Sequence, residues 1–534
     1  MKNFFSSCLM IMFFWFIGNF TNLPVYASFM EQILVHTKAI SLGNSVTANP
    51  PGHMAIHYNP AGLSKMDEGI VLGQGFAIVR LERTYKFSPD LDYDEDFDPK
   101  DDFISYSKGS VRNGRIYLPF AGAINLPVLV APVPSGMSFR QRCSKWTFAN
   151  GIYAPFAGGF EHSHEEAERF EGEEVYLQHL MYASPSISYQ VNDQLSLGVS
   201  FGFGQTAMGA LTDVRSPPLV DLLKENQRII HPPFNAPINI FDKVADMSFD
   251  VRDDFTPSFN LGILFSPYHW LSLGAVYQSP IKVDLHGRYT FEYTDTIVKL
   301  LDWLKNEQRT LIWDKSHINK RKEHGRIEMV DFEFPQRLQF GIMLKPFNRL
   351  KVMVDAHWTD WETTEAYIMK FDQEVQVLLL AKILNTYQES ADRLVYPKEF
   401  ESPWHFSVGL EYQMLDWLTL RAGYEDRQTC AKDHLFDLFS LPDVDMYGAG
   451  LGIQWTQGLD IDLGFGYLTY NDYVVPNNTS SNLNSTGTNP VYSPFAGQDY
   501  ETSFNTYVAT MNVTVSFDLL KDYVERKLIS LGIY

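Results

Sequence analysis

The chain has 534 residues, of which 45% are hydrophobic and 14% aromatic, and its formal net charge at pH 7 is −21. So large an acidic excess argues against nucleic acid as a partner, because nucleic acids are polyanions that bind basic surfaces. The 3 cysteines are too few for a disulfide framework. Cys143 and Cys430 could pair in an oxidising compartment, and the sequence leaves their pairing open.

Residues 1–27 predict a secretory signal peptide. Lys2 gives a basic start, a mostly apolar run covers 4–20, and Val25 and Ala27 supply the small residues of a cleavage site. A retained membrane anchor is the alternative, but the apolar run is short and a cleavage signature follows it. No later segment reaches about 18 consecutive apolar residues, so helical membrane spans are not expected. Two classes remain, a large exported soluble protein and an outer-membrane β-barrel.

The next segment, 28–66, lacks sustained alternation and contains an Asn-Pro-Pro-Gly run at 49–52. We expect it either to form an extended periplasmic tail or to fold into the lumen as a plug. The second possibility depends on whether the rest of the chain encloses a lumen.

From residue 67 to 518 the chain repeats strands with one apolar and one polar face. In 507–517, for example, Tyr507 and Met511 alternate with Thr510 and Asn512. Short turns and long polar connections follow one another in turn, as in outer-membrane barrels. Six tryptophans lie at or near strand ends, as interfacial girdles do, namely Trp270, Trp358, Trp361, Trp404, Trp417 and Trp455. The sequence therefore predicts an all-β fold, a closed transmembrane antiparallel barrel of 14 strands.

The 14 predicted strands share this two-faced pattern. They cover 69–87, 111–131, 144–158, 174–190, 193–209, 249–266, 269–291, 331–346, 349–366, 403–415, 417–428, 444–457, 459–472 and 504–518. Their glycines fall on the polar face, which leaves room for something inside the barrel.

Two long connections, within 292–330 and 367–402, show apolar residues at helical spacing. Leu300 and Leu304 belong to the first, and Val377 and Leu384 to the second. These faces either pack on each other or form a greasy groove that captures a hydrophobic ligand. The tail 519–534 repeats apolar residues at the same spacing, without an assigned role.

Motifs of enzymes and metal sites occur but lack the required context. Residues 198–202 match Gly-x-Ser-x-Gly around Ser200, yet they lie inside an alternating strand and not at a strand–helix turn. His357 beside Asp355 reads as a lumen charge pair, and the cluster around His162 and His164 matches no standard metal spacing. We expect no enzyme activity, no metal and no cofactor. A barrel hydrolase and a structural adhesin remain the alternatives of another class.

Five segments in order resemble one family. These are AIHYNPAGL at 55–63, GIYAPFAG at 151–158, YQVNDQLSLG at 189–198, DAHWTDW at 355–361 and LRAGY at 420–424. The chain resembles the FadL family of outer-membrane transporters for long-chain fatty acids and hydrocarbons. The resemblance covers nearly the whole mature chain, and the strand count agrees with the family's 14.

The resemblance implies that extracellular loops capture a hydrophobic ligand, that the lumen binds it, and that it leaves sideways into the bilayer. Asn59, Pro60 and Ala61 match the hatch motif, and Pro155 with Phe156 falls in the kinked third strand. Segment 28–66 would then be the hatch that plugs the lumen. A carboxylate ligand would favour a lumen cation such as Arg421 or Lys351.

On this basis we expect a passive outer-membrane transporter of a Gram-negative bacterium. Its ligand is predicted to be a long-chain fatty acid, with aromatic hydrocarbons as the alternative. We expect a monomer surrounded by outer-membrane lipid and lipopolysaccharide, with no nucleic-acid partner.

Overall fold

The computed structural model of the protein describes residues 35–89, 99–119, 121–131, 134–215, 242–307, 320–384, 390–432, 441–475, 494–495 and 498–521. The predicted signal peptide lies outside the described residues, as does most of the predicted tail. No helix within these ranges is long and apolar enough to cross a membrane. Cys143 is exposed and Cys430 is buried, and the two do not form a disulfide with each other.

Fourteen antiparallel strands form one closed barrel, which confirms the predicted fold class. The strands are β1 (Gly69–Pro89), β2 (Lys108–Ser110, Leu129–Ala131 and Ser135–Arg140), β3 (Trp146–Glu161), β4 (Glu174–Ala183 and Ser186–Gln190), β5 (Leu195–Arg215), β6 (Lys243–Tyr268), β7 (Leu271–Gln278 and Leu285–Tyr293), β8 (Lys322–Val330 and Arg337–Phe347), β9 (Leu350–Thr359 and Ala366–Phe371), β10 (Arg393–Pro397 and Trp404–Leu415), β11 (Leu418–Arg427), β12 (Val444–Thr456), β13 (Leu459–Val475) and β14 (Gln498–Ser516). The last strand pairs with the first from Val71 opposite Ser516 to Pro89 opposite Gln498. A closed ladder leaves no strand edge unpaired in lipid.

The two faces of each strand meet different surroundings, as the alternation predicts. On β14, Tyr507 and Met511 are each 38% exposed on the outer face, whereas Thr506 and Asn512 are fully buried on the inner face. The outer band of apolar side chains therefore faces the membrane, and the polar face lines the lumen.

The predicted continuous strand over 111–131 is wrong. After Ser110 the chain leaves the barrel wall and forms a hairpin of two short strands, Asn113–Leu118 and Gly122–Leu126, which we call the β2 hairpin. It returns to the wall at Leu129. The reversal follows from Pro119, which cannot donate to a ladder, and from Gly122, whose φ of 81° suits glycine.

Strands β7 to β10 are each interrupted on their long-loop side. A small sheet pairs Ile281–Lys282 with Glu333–Phe334 there. The connections also carry helices, which agrees with the prediction of partly helical loops. The named helices are α1 (Thr37–Ser41), α2 (Ala55–Tyr58), α3 (Arg169–Gly172), α4 (Asp295–Glu307) and α5 (Gln376–Leu384), with short 3-10 turns at Gly52–Met54, Pro60–Lys65, Pro99–Asp101 and Trp361–Thr363. Residues 517–521, which follow β14, are also helical.

Residues 35–66, which we call the hatch, fill the lumen near the short-turn end of the barrel. Most of their side chains are buried, and they pack against inner-face glycines of many strands. A Cβ on Gly423 would lie 2.0 Å from the carbonyl carbon of Leu42, and one on Gly448 would lie 2.1 Å from the carbonyl oxygen of Ile40. The lumen glycines therefore make room for the backbone of the hatch, as the sequence predicts.

Candidate ligand cavity and wall passage

Asn59 fixes the middle of the hatch to the barrel. Its side-chain nitrogen donates to the carbonyl oxygen of Thr47 at 2.9 Å and to that of Ile263, on β6, at 3.0 Å. Its side-chain oxygen accepts from the backbone nitrogen of Ala61 at 3.1 Å and so caps the turn Pro60–Lys65. One buried amide thus joins two parts of the hatch to the wall.

Two glycines of the wall receive the Asn-Pro-Ala segment. A Cβ on Gly262 would lie 2.2 Å from the side-chain oxygen of Asn59. A Cβ on Gly198 would lie 2.2 Å from the carbonyl carbon of Pro60 and 2.3 Å from the nitrogen of Ala61. Gly198 is the first glycine of the Gly-x-Ser-x-Gly match at 198–202. Close packing against the hatch therefore explains why a glycine is needed at this position, without any catalytic role.

The third strand is irregular where the sequence predicts. Its pairing with β4 shifts register between Tyr153 and Phe156, around Pro155, which has no N–H for a ladder bond. Tyr153 contacts the hatch through His57, whose ring centroid lies 5.0 Å from its own. Burial lowers the pKa of His57 to about 3, so its imidazole is neutral there.

On its other side, the stretch of β3 around Pro155 is not paired with the described residues of β2. Among the residues that the structure describes, the ladder between β2 and β3 ends at Ser135 opposite Ile152 and resumes only at Gly114 opposite Phe160. The barrel wall is therefore unpaired beside 153–159, on the long-loop side of the hatch.

A cavity of about 110 Å³ lies inside the barrel beside this stretch. Most of its lining is apolar, and the two charged side chains in it are Arg83 and Glu333. The aromatic members of the lining are Phe156, Phe160, Phe332, Phe334, Trp361, Tyr367 and Phe504. Such a space suits a hydrophobic ligand, with charged groups to orient it.

The predicted residue Phe156 forms one wall of the cavity. Its ring stacks on Phe334 at 4.4 Å between centroids, with an interplanar angle of 20°. Trp361, which the sequence assigns to an interfacial girdle, is only 4% exposed and lines the cavity instead. That assignment was wrong because β9 is interrupted after Thr359, and the short turn Trp361–Thr363 buries the indole beside the ring of Phe400.

A smaller cavity of about 30 Å³ continues from the first one through the wall. The two share Leu81 and the run 157–159 of β3. Along β4, the larger cavity touches Val175 and Leu177, whereas the smaller one touches Tyr176 and Gln178. Successive strand residues point to opposite faces, so this second space, which we call the wall passage, reaches the outer side of the barrel.

Arg421, predicted as a ligand cation, lies elsewhere. Its Nε is 2.9 Å from Glu411 and its Nη1 is 2.5 Å from Asp462. Lys351 also pairs with Glu411 at 2.5 Å, and Lys38 of the hatch is 3.7 Å from the same carboxylate. The network ties the hatch to the wall near the short-turn end, and none of these residues lines the cavity.

The predicted loop residue Leu300 does not line the cavity. Leu300 of α4 is 1% exposed and belongs to the main buried cluster, which also contains Val377 and Leu378 of α5. Leu304 lies in the same helix, and its side chain is outside the described part of the structure. Packing between apolar faces, the simpler of the two expectations, accounts for Leu300.

Sequence reasoning missed Arg83 and Phe334. Arg83 is 3% exposed, donates from Nε to the hydroxyls of Tyr470 and Thr502 at 3.2 and 3.3 Å, and lies over the ring of Tyr85. The available signal was the alternation of β1, which places Arg83 on the inner face among apolar neighbours.

A closed barrel with a plugged lumen and an apolar internal cavity defines a channel for hydrophobic compounds and not an open water-filled pore. Residues 33–517 match the model of the outer membrane protein transport protein family (OMPP1/FadL/TodX). The chain belongs to this family, whose members are transport channels, so it is an outer-membrane transporter of hydrophobic compounds and not an enzyme.

Solved structures show the same fold at low sequence identity. A Pseudomonas aeruginosa FadL homologue is 14% identical, with a TM-score of 0.66 over 92% of this chain and 100% of its own. The Ralstonia pickettii toluene transporter TbuX is 17% identical, with a TM-score of 0.57 over 91% and 99%. The Pseudomonas putida toluene transporter TodX is 15% identical, with a TM-score of 0.59 over 93% and 100%. No curated protein sequence matches the chain.

Proposed function

We propose that this transporter carries long-chain fatty acids passively across the outer membrane. The observation that supports this ligand class is Arg83, a buried cation in a lining that is mostly apolar and aromatic and also contains the carboxylate of Glu333. A fatty acid has an apolar chain that such a lining accepts and a carboxylate that a guanidinium binds. An aromatic hydrocarbon has no carboxylate to bind the guanidinium and could contact it only through the face of its ring.

The proposed route runs from the extracellular loops to the cavity and then sideways. The hatch obstructs the direct way to the periplasm, with Asn59, Pro60 and Ala61 seated against the wall. The wall passage beside Phe156 offers an apolar alternative. Pro155 supports this route because it helps to keep β3 unpaired there. One chain contains the whole route, so we propose that the monomer is the working unit in its lipid and lipopolysaccharide surroundings.

Aromatic hydrocarbons are the second candidate. Seven aromatic side chains line the cavity, and its volume of about 110 Å³ is close to the roughly 150 Å³ of an engineered protein cavity that binds benzene. The neighbouring passage adds only about 30 Å³. An extended acyl chain would need the two spaces together and movement of loop side chains.

Uptake of labelled oleate and labelled toluene, with and without the protein, separates the two candidates. Arg83→Met keeps the stem of the side chain and removes its charge. A charge-assisted hydrogen bond contributes about 1.5–3 kcal/mol, so we expect oleate uptake at low concentration to fall by about 10- to 150-fold while toluene uptake is unchanged.

Arg80→Met is the matched control, because Arg80 is on the outer face of the same strand with its side chain 64% exposed. Equal loss of both uptakes in Arg83→Met would indicate damage to the cavity and not loss of carboxylate recognition. Toluene uptake without oleate uptake in the unmodified protein would favour the second candidate. If the protein accelerates neither compound, the transport proposal for these ligands fails.

A further inference from the structure

We infer that the β2 hairpin is a flap on the membrane side of the barrel that covers the wall passage and must move for a ligand to leave. This inference rests on the proposed lateral route and adds a second, outer gate to it. The hatch fills the lumen near the short-turn end and belongs to a different part of the chain, so the two elements can act separately.

The hairpin packs on the outer face of the barrel and not in its wall. Tyr117 stacks on Tyr176 of β4 at 5.7 Å between ring centroids with an interplanar angle of 13°, and both pack with Ala207 of β5. Tyr176 points outward, because its neighbours Val175 and Leu177 line the lumen cavity. The hairpin thus lies across the outer mouth of the passage, which Arg115 and Tyr117 help to line.

Few backbone pairings hold the hairpin to the barrel. Among the described residues, its ladder to β3 consists of Asn113 opposite Glu161 and Gly114 opposite Phe160. The strand Gly122–Leu126 pairs with the other arm of the hairpin. The hairpin can therefore separate from the wall beyond Gly114 without loss of any pairing between neighbouring barrel strands.

Polar side chains close the hairpin onto β4 as a latch. Arg115 is 2.8 Å from Glu174, and the amide of Asn125 donates to the same carboxylate at 2.9 Å. Arg115 also donates to the side-chain oxygen of Asn125 at 2.5 Å. Partly exposed ion pairs of this kind are weak, so the latch can open at little cost.

The opposite side of this segment is suited to lipid. Leu118 of the hairpin is 36% exposed, and where the chain returns to the wall Val128 is 36% and Val130 53% exposed. A ligand that leaves the passage would therefore reach an apolar outer surface beside the flap. A rigid patch that merely fills the unpaired wall is the competing explanation, and it predicts no movement.

The test measures the position of the flap directly. Spin labels at Ala121→Cys, in the turn of the hairpin, and at Asp254→Cys, on the exposed outer side of β6, report their separation in the full-length protein in lipid. Cys143→Ser removes the exposed native thiol. We expect one separation in the otherwise unmodified protein and an additional longer one after Arg115→Met, after Glu174→Gln, or with saturating oleate or toluene.

Arg80→Met is again the control, since it removes an exposed ion pair with Glu82 on the outer wall and leaves the latch intact. We expect latch variants to release preloaded oleate or toluene about two- to fivefold faster, the factor that corresponds to a weak ion pair. Separations that stay the same in both latch variants and with both compounds overturn the flap. If neither compound is transported by any variant, the proposed function fails, while the separations in the latch variants still decide whether the flap moves.

Discussion

Gly198→Ala should loosen the hatch while leaving the barrel intact. The added methyl carbon would lie 2.2 Å from the carbonyl carbon of Pro60 and 2.3 Å from the nitrogen of Ala61. Both are backbone atoms that cannot rotate away, so the hatch must shift. Overpacking of this kind costs about 1–3 kcal/mol, which favours the undocked hatch by about 5- to 150-fold. The strand itself should gain roughly 0.5–1 kcal/mol, because glycine is unfavourable inside a strand.

Gly466→Ala is the matched control. Gly466 also faces the hatch, but the nearest atom to its added carbon is the Cγ2 methyl of Ile40 at 3.0 Å, which can move with its side chain. Heat-modifiable migration in gels checks that both barrels assemble. Limited proteolysis of the hatch and uptake of oleate and toluene then report docking and transport. A Gly198→Ala hatch as well protected as that of the unmodified protein would refute the reasoning.

Three further changes test other parts of the structure. Asn59→Ala removes two buried hydrogen bonds to the wall and hatch and the cap of the turn Pro60–Lys65, so we expect hatch docking to weaken by about 1–3 kcal/mol. The same proteolysis measures this change. A hatch as protected as before would show that Asn59 does not fix it. Arg421→Met removes the cation that pairs with Asp462, whereas Glu411 keeps Lys351 and Lys38. Thermal denaturation should therefore show a loss of about 1–3 kcal/mol while oleate affinity stays unchanged. Lost affinity in a stable barrel would instead support Arg421 as a ligand cation. Burial raises the pKa of Glu168, in the extracellular connection before β4, to about 7. The stability of that connection should therefore fall as pH rises from about 4.5 through 7. Hydrogen exchange at pH 5 and pH 8 measures this loss of stability, which Glu168→Gln should abolish.

The barrel could be predicted because its two faces meet different solvents. Alternation in a single strand, such as 507–517, is ambiguous, but its repetition in a sequence that has no run of about 18 apolar residues after its first 27 is not. The β2 hairpin was missed because its arms alternate just as a wall strand does. The pairing of its two arms with each other and the contact of Tyr117 with Tyr176 show that the segment leaves the wall, and such pairing depends on partners that alternation does not identify.

The site was harder to predict than the fold. Asn59 and Phe156 were found because a family resemblance identified them, and the structure places Asn59 in the seat of the hatch and Phe156 in the cavity wall. Arg83 and Phe334 come from β1 and from the connection within β8, and closure of the barrel and folding of the loops bring them together. Arg421 was chosen for its charge alone, and its carboxylate partners Glu411 and Asp462 lie on other strands, where no local pattern identifies them.

Physical chemistry favours the sideways route over the one through the hatch. Below the cavity the lumen is filled by backbone that is hydrogen-bonded to buried polar groups, such as Thr47, whose nitrogen donates to Asp355 at 2.7 Å. An apolar ligand that displaced this contact would leave both groups unsatisfied, and each such buried group costs about 1–3 kcal/mol. The passage past Phe156 instead offers apolar surface that leads toward lipid. A hydrophobic molecule therefore gains contacts along that path, whereas a polar solute would lose its hydration there.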